Sequence, residues 1–402
     1  MNVEEIVQVD DDYVQDVHLF TEMLRAEGPV RRIRMPRGLQ CWLVTGFAEA
    51  RELLADPRLS KDSRRAGELF ESKLNGATVT GTIRESLSAH MLNSDPPDHT
   101  RLRKLVNKAF TSRTVAGMRP RIEEITTGLL DALDGEERTD LVSAFATPLP
   151  IIVICELLGV LPEERGDFSA WTKILLSASA PDAARDAAQR MFAYLTALIA
   201  RKRAEPGEDL LSRLVHTTDE GDSLSEEELV SMAFLLLVAG HETTVNLIGN
   251  AVLGLLRAPE QLALLRADPG LLPGAVEEFL RFDGPIHMAT LRFTTEPVEI
   301  AGVTIPADEF VMISLLGANR DAERFPGPDS LDVTRAAGGH LAFGHGIHYC
   351  VGAPLARLEI EIAIGELVRR FPGLRLDVAP DELRYRLSSL VHGLESLPVR
   401  LS

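Results

Sequence analysis

The sequence predicts one large, mainly α-helical domain carrying a few small β-sheets, and three observations lead there. Apolar residues recur at helical spacing over much of the chain, as in 17–26, 122–133, 149–158, 165–176, 187–203 and a long stretch opening at Ser225. Runs with strand character are few and short, 30–35 and 41–44 being the clearest. No stretch of the 402 residues reads as a linker, and 45% apolar with 25% charged residues is ordinary for a chain that buries a sizeable core, so residues 1–402 are expected to form a single domain.

Taken in order, the first helix is stopped by Gly28-Pro29. The strand pair follows, with Pro36-Arg37-Gly38 as its turn, and 48–56 resumes a helix. Residues 66–86 are rich in Gly, Thr and Ser without a clear period, which reads as a long loop, either a substrate-contact segment or plain surface. Pro96-Pro97 then sets up a helix start that places His99 and Arg103 four apart on one face. Such a pair grips carboxylates, or is simply a solvated basic turn. Small residues and a proline at 177–182 suggest a lid between two helices.

Ser225-Glu226-Glu227-Glu228 has the pattern of a capping box and opens a long buried helix. Its apolar centre is interrupted by Gly240 and then by Glu242 and Thr243, an odd choice for a core helix, because an unpartnered buried carboxylate costs roughly several kcal/mol. Thr243 is placed to bond back to the carbonyl of Ala239, which would open the helix there and admit a water. Further on, Glu278 and Arg281 stand three apart on a short helix, and 289–293 is strand-like. Short strands at 298–300 and 303–305 flank a turn at Gly302. The segments 286–289 and 389–391 are further substrate-contact candidates.

Composition narrows the function. A net charge of −18 argues against nucleic acid as a partner. The cysteines, at 41, 155 and 350, have no paired spacing, so no disulfide framework is expected and a reducing compartment fits. The start is acidic, with no basic-then-apolar leader, and the longest plain apolar run, 232–240, is far below the ~20 residues a membrane helix requires. The expectation is a cytoplasmic, membrane-free protein.

Everything else converges on residues 343–359. Gly344 and Gly346 allow positive φ ahead of Cys350, and helical spacing resumes at Leu355 and runs to about Arg370. Cys350 thus stands at or just before a helix N-terminus, where unpaired N–H groups and the helix dipole favour a thiolate, and Phe343 is placed to shield the sulfur. From the residues alone it is a nucleophile with His345 or His348 as base, a metal ligand, part of a zinc cluster with His340, His345 and His348, or a small buried side chain.

The run Phe343-x-x-Gly346-x-x-x-Cys350-x-Gly352 resembles the haem-ligand loop of the cytochrome P450 superfamily, whose known ligation is a cysteine thiolate on haem iron. The resemblance extends over nearly the whole chain. It implies a haem b (iron protoporphyrin IX) between the helix of Ala239 and Gly240 and the loop of Phe343, Gly344, Cys350 and Gly352. Cys350 would be the axial ligand, and His99, Arg103, Arg292 and His348 the propionate partners. Glu242 and Thr243 would be the acid–alcohol pair that relays protons during oxygen activation. Glu278 and Arg281, with Arg324 as third member, would be structural.

The implied reaction is insertion of one oxygen atom from O2 into a C–H bond or alkene. The nearest likeness is to soluble actinomycete enzymes of secondary metabolism that oxidise macrolides and other polyketides, with steroid-like substrates next. Electrons would come from a ferredoxin and its reductase to a monomer. A peroxide-driven relative and a non-catalytic sensor or carrier are the alternatives, and the acid–alcohol pair speaks against both. Arg84 or Glu85 is a candidate polar contact for a large, mainly apolar substrate. Between His99 and Ile122 lie Arg101, Arg103, Lys104, Lys108, Arg113, Arg119 and Arg121 without one acidic residue. They form either a docking patch for an acidic ferredoxin or a set balanced by carboxylates elsewhere in the fold.

Overall fold

The computed structural model describes residues 6–36, 38–73, 87–176 and 181–402. The chain opens with β1 (Val7–Gln8), α1 (Val17–Glu27), β2 (Val30–Arg34), β3 (Gln40–Val44), α2 (Phe47–Ala55), β4 (Leu59–Ser60) and α3 (Ser63–Lys73). Next come α4 (Asp98–Ala109), α5 (Ser112–Gly117), α6 (Arg119–Asp131), β5 (Arg138–Asp140), α7 (Pro148–Leu157), α8 (Arg165–Leu176) and α9 (Pro181–Ala204). They lead to α10 (Leu210–His216), α11 (Glu226–Arg257), α12 (Pro259–Ala267) and α13 (Leu272–Asp283). The chain closes with β6 (Arg292–Thr294), β7 (Val298–Ile300), β8 (Val303–Ile305), β9 (Phe310–Ile313), α14 (Leu315–Asn319), α15 (Ala353–Arg370), β10 (Arg375–Leu376) and β11 (Pro398–Arg400). Helices therefore dominate, as the periodicity predicts.

Packing divides the chain into two compact units. The first gathers Met1–Ser60, Thr126–Ala146 and Thr243–Ser402. It holds a six-stranded sheet in the order β1-β2-β3-β9-β6-β4. β2 and β3 pair antiparallel, Val30 opposite Val44, and β3 pairs parallel with β9, Trp42 opposite Val311. Trp42, Val44, Val311 and Ile313 pack with Leu53 and Leu54 of α2 and Ala318 of α14 in one apolar cluster. Two smaller sheets, β10-β11-β5 and the β7-β8 hairpin, complete it.

Within this unit Glu278 and Arg281 are fully buried and form a two-pronged bond, Arg281 Nε and one Nη at 2.7 and 2.8 Å from the carboxylate. The third member differs from the sequence expectation. Arg335 donates to Glu278 at 3.2 Å, whereas Arg324 bonds the carbonyl of Gly338 and lies over the ring of Phe325. The reason is local, since the turn at Asp332 hands its own N–H to Glu278 and so brings Arg335 to the same carboxylate.

The second unit comprises Lys61–Ile125 and Thr147–Glu242. α9 packs on α8 and α10, burying Phe168, Leu195, Leu198, Ile199, Leu211 and Leu214. The capping box opening α11 is present: Ser225 N–H donates to Glu228, and Glu228 N–H donates to the Ser225 hydroxyl. α11 continues unbroken as α-helix through Ala239 to Thr244, where a local opening is expected from sequence. Among the described residues it is the one helix long and apolar enough to cross a membrane, but 56% of its apolar window is buried, as in a core helix.

Two loop expectations change, each only where the structure describes the segment. Residues 66–73 are the end of α3, because the Asp62 carboxylate caps the N–H groups of Arg64 and Arg65 and Leu69 turns inward. The rest of that segment, with Arg84 and Glu85, lies outside the described residues. So does 177–180 of the expected lid, while Pro181 and Asp182 open α9.

On α15, Glu359 is 1% exposed, and its Oε2 has no hydrogen-bond partner among the described residues. Burial pushes its carboxyl up to about 8. The folded chain thus keeps a proton that the unfolded chain releases near pH ~4.3, so this residue's contribution to stability is complete at low pH and is lost as pH rises to about 8. Glu359→Gln is expected to flatten the stability profile between about pH 5 and 8 and to raise the urea midpoint most at the alkaline end. An unchanged slope in paired urea titrations would contradict this.

Candidate active site

The loop before α15 is fixed by its backbone. Gly344 N–H donates to Leu341, Tyr349 N–H to Gly346, and Cys350 N–H closes the loop onto the carbonyl of Phe343 at 2.9 Å. Gly344 and Gly346 take φ of +73° and +75°, as the sequence predicts. Gly346 is doubly required, because a Cβ there would lie 2.9 Å from the Leu54 carbonyl oxygen. The loop therefore rests on the end of α2. Arg292, buried in β6, donates to the same Leu54 carbonyl at 2.8 Å, so one helix terminus positions both. Gly352 has an ordinary φ of −80°, and a Cβ there would stand 3.8 Å from the Cys350 sulfur, a normal contact.

The three cysteines divide by environment. Cys41 and Cys155 are buried, and burial pushes both thiols up to about 12, whereas Cys350 is exposed and stands just ahead of Ala353, the first residue of α15. His348 ends the short turn Gly346–His348 and is half-buried. Phe343 is buried with the Arg357 guanidinium 4.5 Å above its ring and Tyr349 edge-on at 6.2 Å. Arg357 is itself clamped by Glu277 at 2.6 and 2.9 Å, and His340 meets the same carboxylate at 3.3 Å. Burial works against that charge, yet bonds from Arg357 and His340 hold Glu277 at about 2. Neither Glu277 nor Arg357 stands out in sequence. The signal available is a helical Arg357 seven residues after the cysteine.

In the second unit, His99 is 3% exposed on α4, and burial first, then the charge of Arg103, lowers its pKa. That electrostatic coupling agrees with the shared helical face. Along α11, Ala233, Leu237, His241 and Thr244 are buried, while Leu235, Leu236, Ala239, Glu242 and Thr243 keep accessible surface on another face. The boundary between units falls between Glu242 and Thr243. Gly240 faces neighbouring α7, where a Cβ would meet Ile154 at 2.8 Å, so its glycine is explained by helix packing. His241 Nδ1 bonds the Leu237 carbonyl at 2.8 Å and its ring lies edge-on to Phe168, which directs it away from the accessible face.

The basic window on α4 to α6 is largely neutralised. Lys104 and Lys108 both reach Asp219, Arg101 reaches Asp222 and Glu228, Arg119 reaches Glu123, and Arg121 reaches Glu124 and Glu156. Five of the seven cations thus pair with carboxylates of the fold, which favours the balancing reading of that window. In the first unit, the two later substrate-contact segments lie side by side, Ile286 bridged to Val391 and His287 N–H donating to Leu390.

Comparison with known proteins gives a consistent result. The family profile described as Cytochrome P450 matches residues 166–384. "Cytochrome P450 107B1" of Saccharopolyspora erythraea is 54% identical over 99% of this chain and 98% of its own length. "Vitamin D(3) 25-hydroxylase" of Pseudonocardia autotrophica is 52% identical over 96% of this chain and 94% of its own. Among solved structures, the tirandamycin C-bound P450 monooxygenase TamI superposes with a TM-score of 0.92 at 52% identity, covering 98% of this chain and 100% of that one.

Proposed function

The chain belongs to the cytochrome P450 family and is a haem-dependent monooxygenase; from that premise we propose that it oxidises a large, mainly apolar small molecule of the polyketide or steroid kind. The observation that carries the site assignment is the division of the thiols. Cys350 alone is exposed, in a glycine-shaped loop at the start of an 18-residue helix, while the other two are buried and held protonated at neutral pH. When bound, haem supplies the oxygen-activating chemistry, in which electron density from a thiolate ligand favours O–O cleavage.

The chain's own residues do the rest. Cys350 would hold the iron, its negative sulfur favoured by the N–H groups and dipole at the start of α15. Phe343, pinned beneath Arg357, keeps water from one side of the loop, Gly344 shapes it through its positive φ, and Gly352 leaves the space beside the Cys350 sulfur open. His99, Arg103, Arg292 and His348 would pair with the propionates, Arg292 being held by its bond to the Leu54 carbonyl. Ala239, exposed and with only a methyl side chain, would leave room for the cofactor, and Gly240 contributes by letting α11 close onto Ile154. The Thr243 hydroxyl delivers protons at Oγ1 and is resupplied by the Glu242 carboxyl.

Accessible Leu235 and Leu236 on the Ala239 face suit an apolar substrate, and the paired segments at 286 and 391 in the first unit remain substrate-contact candidates in their own right. The relatives point the same way, one named for vitamin D(3) and one bound to tirandamycin C. Residues 1–402 act as one catalytic domain, since each unit is assembled from separated stretches of chain. Electrons reach it from a ferredoxin and its reductase, and the protein works as a cytoplasmic monomer.

Three measurements test this reading. Cys350→Ser is expected to abolish the red-shifted, thiolate-type Soret band of the reduced CO complex, and retention of that band would refute the ligand assignment. Thr243→Ala is expected to lower product formation by a factor of about 10² to 10⁴ while reducing equivalents still drain to peroxide, and undiminished coupling would remove the proton role. Haem spin-state titrations should show tighter binding of macrolactones and steroids than of short terpenes or fatty acids. The reverse order would overturn the substrate class.

A further inference from the structure

Away from the residues assigned to haem, three side chains distant in sequence meet in the first unit. His18 lies on α1, Asp283 ends α13, and His392 lies in the segment before β11. The Nε2 atoms of His18 and His392 stand 2.7 and 3.1 Å from the same Asp283 oxygen, and the three donor atoms all fall within 4.8 Å of one another. Asp283 and His392 are buried.

The cluster is rigidly framed. Tyr385 stacks on His392 with ring centroids 4.3 Å apart, and His18 meets His392 edge-on at 5.8 Å. The Asn250 amide donates to the backbone carbonyls of both Asp283 and His392 at 3.1 Å, and His392 N–H donates to Pro285. Nearby Arg320 is spent on the Phe282 carbonyl and Asp329. Nothing in the monooxygenase reading uses these groups.

We propose that His18, Asp283 and His392 form a binding site for a zinc-class divalent transition-metal ion that fastens α1 to the C-terminal segment. Two imidazole nitrogens and one carboxylate are a donor set that zinc favours and that hard cations such as magnesium do not. Around a tetrahedral ion with bonds of ~2.0–2.1 Å, neighbouring donors stand ~3.3 Å apart, so the observed 2.7 and 3.1 Å open to that geometry by less than about 1 Å each. The ion takes the place of the protons now shared between the nitrogens and Asp283, and water fills the coordination left over. Because the framing bonds already hold the rings, little further ordering is needed.

The test uses tag-free, haem-loaded protein equilibrated with Zn2+ and then gel-filtered, with metal content and thermal midpoint measured together. One retained equivalent of zinc with a raised midpoint is expected, and no response to Mg2+. His18→Gln and Asp283→Asn should each lose the retained zinc and the rise in midpoint. X-ray absorption at the zinc edge of the parent protein reads the ligands without any variant, and two imidazoles plus oxygen are expected. Failure to retain zinc would mean a hydrogen-bonded triad only, and would overturn the proposal. Equal retention by His18→Gln, or a sulfur ligand in the absorption spectrum, would overturn it as well.

Discussion

Two opposite charges, Glu278 and Arg281, sit at zero exposure in the first unit, and the surroundings are arranged to keep them paired. Removing one partner of such a pair strands the other, at a cost of about 3–5 kcal/mol, so the pair is a constraint before it is a source of stability. Its remaining valences are filled by backbone and by the Arg335 side chain. Arg281 reaches the carbonyls of Asn319, Pro328 and Ser330, and Glu278 takes the N–H of Asp332. Asn319 in turn accepts the N–H of Leu341 on its side-chain oxygen at 2.6 Å, two residues before Phe343. A buried pair on one helix is thus linked to the start of the cysteine loop through Asn319, whose backbone and side chain each take one hydrogen bond.

What was legible in the sequence was whatever depends on near neighbours. The stop at Gly28, the capping box at Ser225, the positive φ at Gly344 and Gly346 and the helix after Cys350 are each decided within a few residues, and each is found where expected. Partners far along the chain were not legible. Asp219 lies over a hundred residues from Lys104 and Lys108, and no periodicity announces that it neutralises both. Arg324 is the third member the sequence suggests, and only the turn at Asp332 shows that Arg335 takes that place at Glu278. The helix over 63–73 was obscured because its capping residue, Asp62, precedes a stretch poor in apolar residues.

The site shows the same split between chemistry and geometry. Residue types announced an acid and an alcohol in an apolar helix, yet only the fold separates Gly240, which serves the contact with Ile154, from Ala239, which keeps accessible surface. Phe343 could be suspected of guarding the sulfur, but the clamp of Glu277 on Arg357 that fixes its ring joins residues eighty positions apart.

The parallel pairing of β3 with β9 has a consequence during synthesis. Trp42 meets Val311 across a stretch that contains the whole of the second unit, so β3 leaves the ribosome long before its partner. At roughly 5–20 residues per second that delay is on the order of a quarter of a minute to a minute, ample for the intervening helices to condense first. Meanwhile the β2–β3 hairpin presents a bare, apolar edge, Trp42-Leu43-Val44, of the type that recruits stray strands. In this interval the edge of β3 is open to such pairing, and the arrival of Phe310–Ile313 closes it.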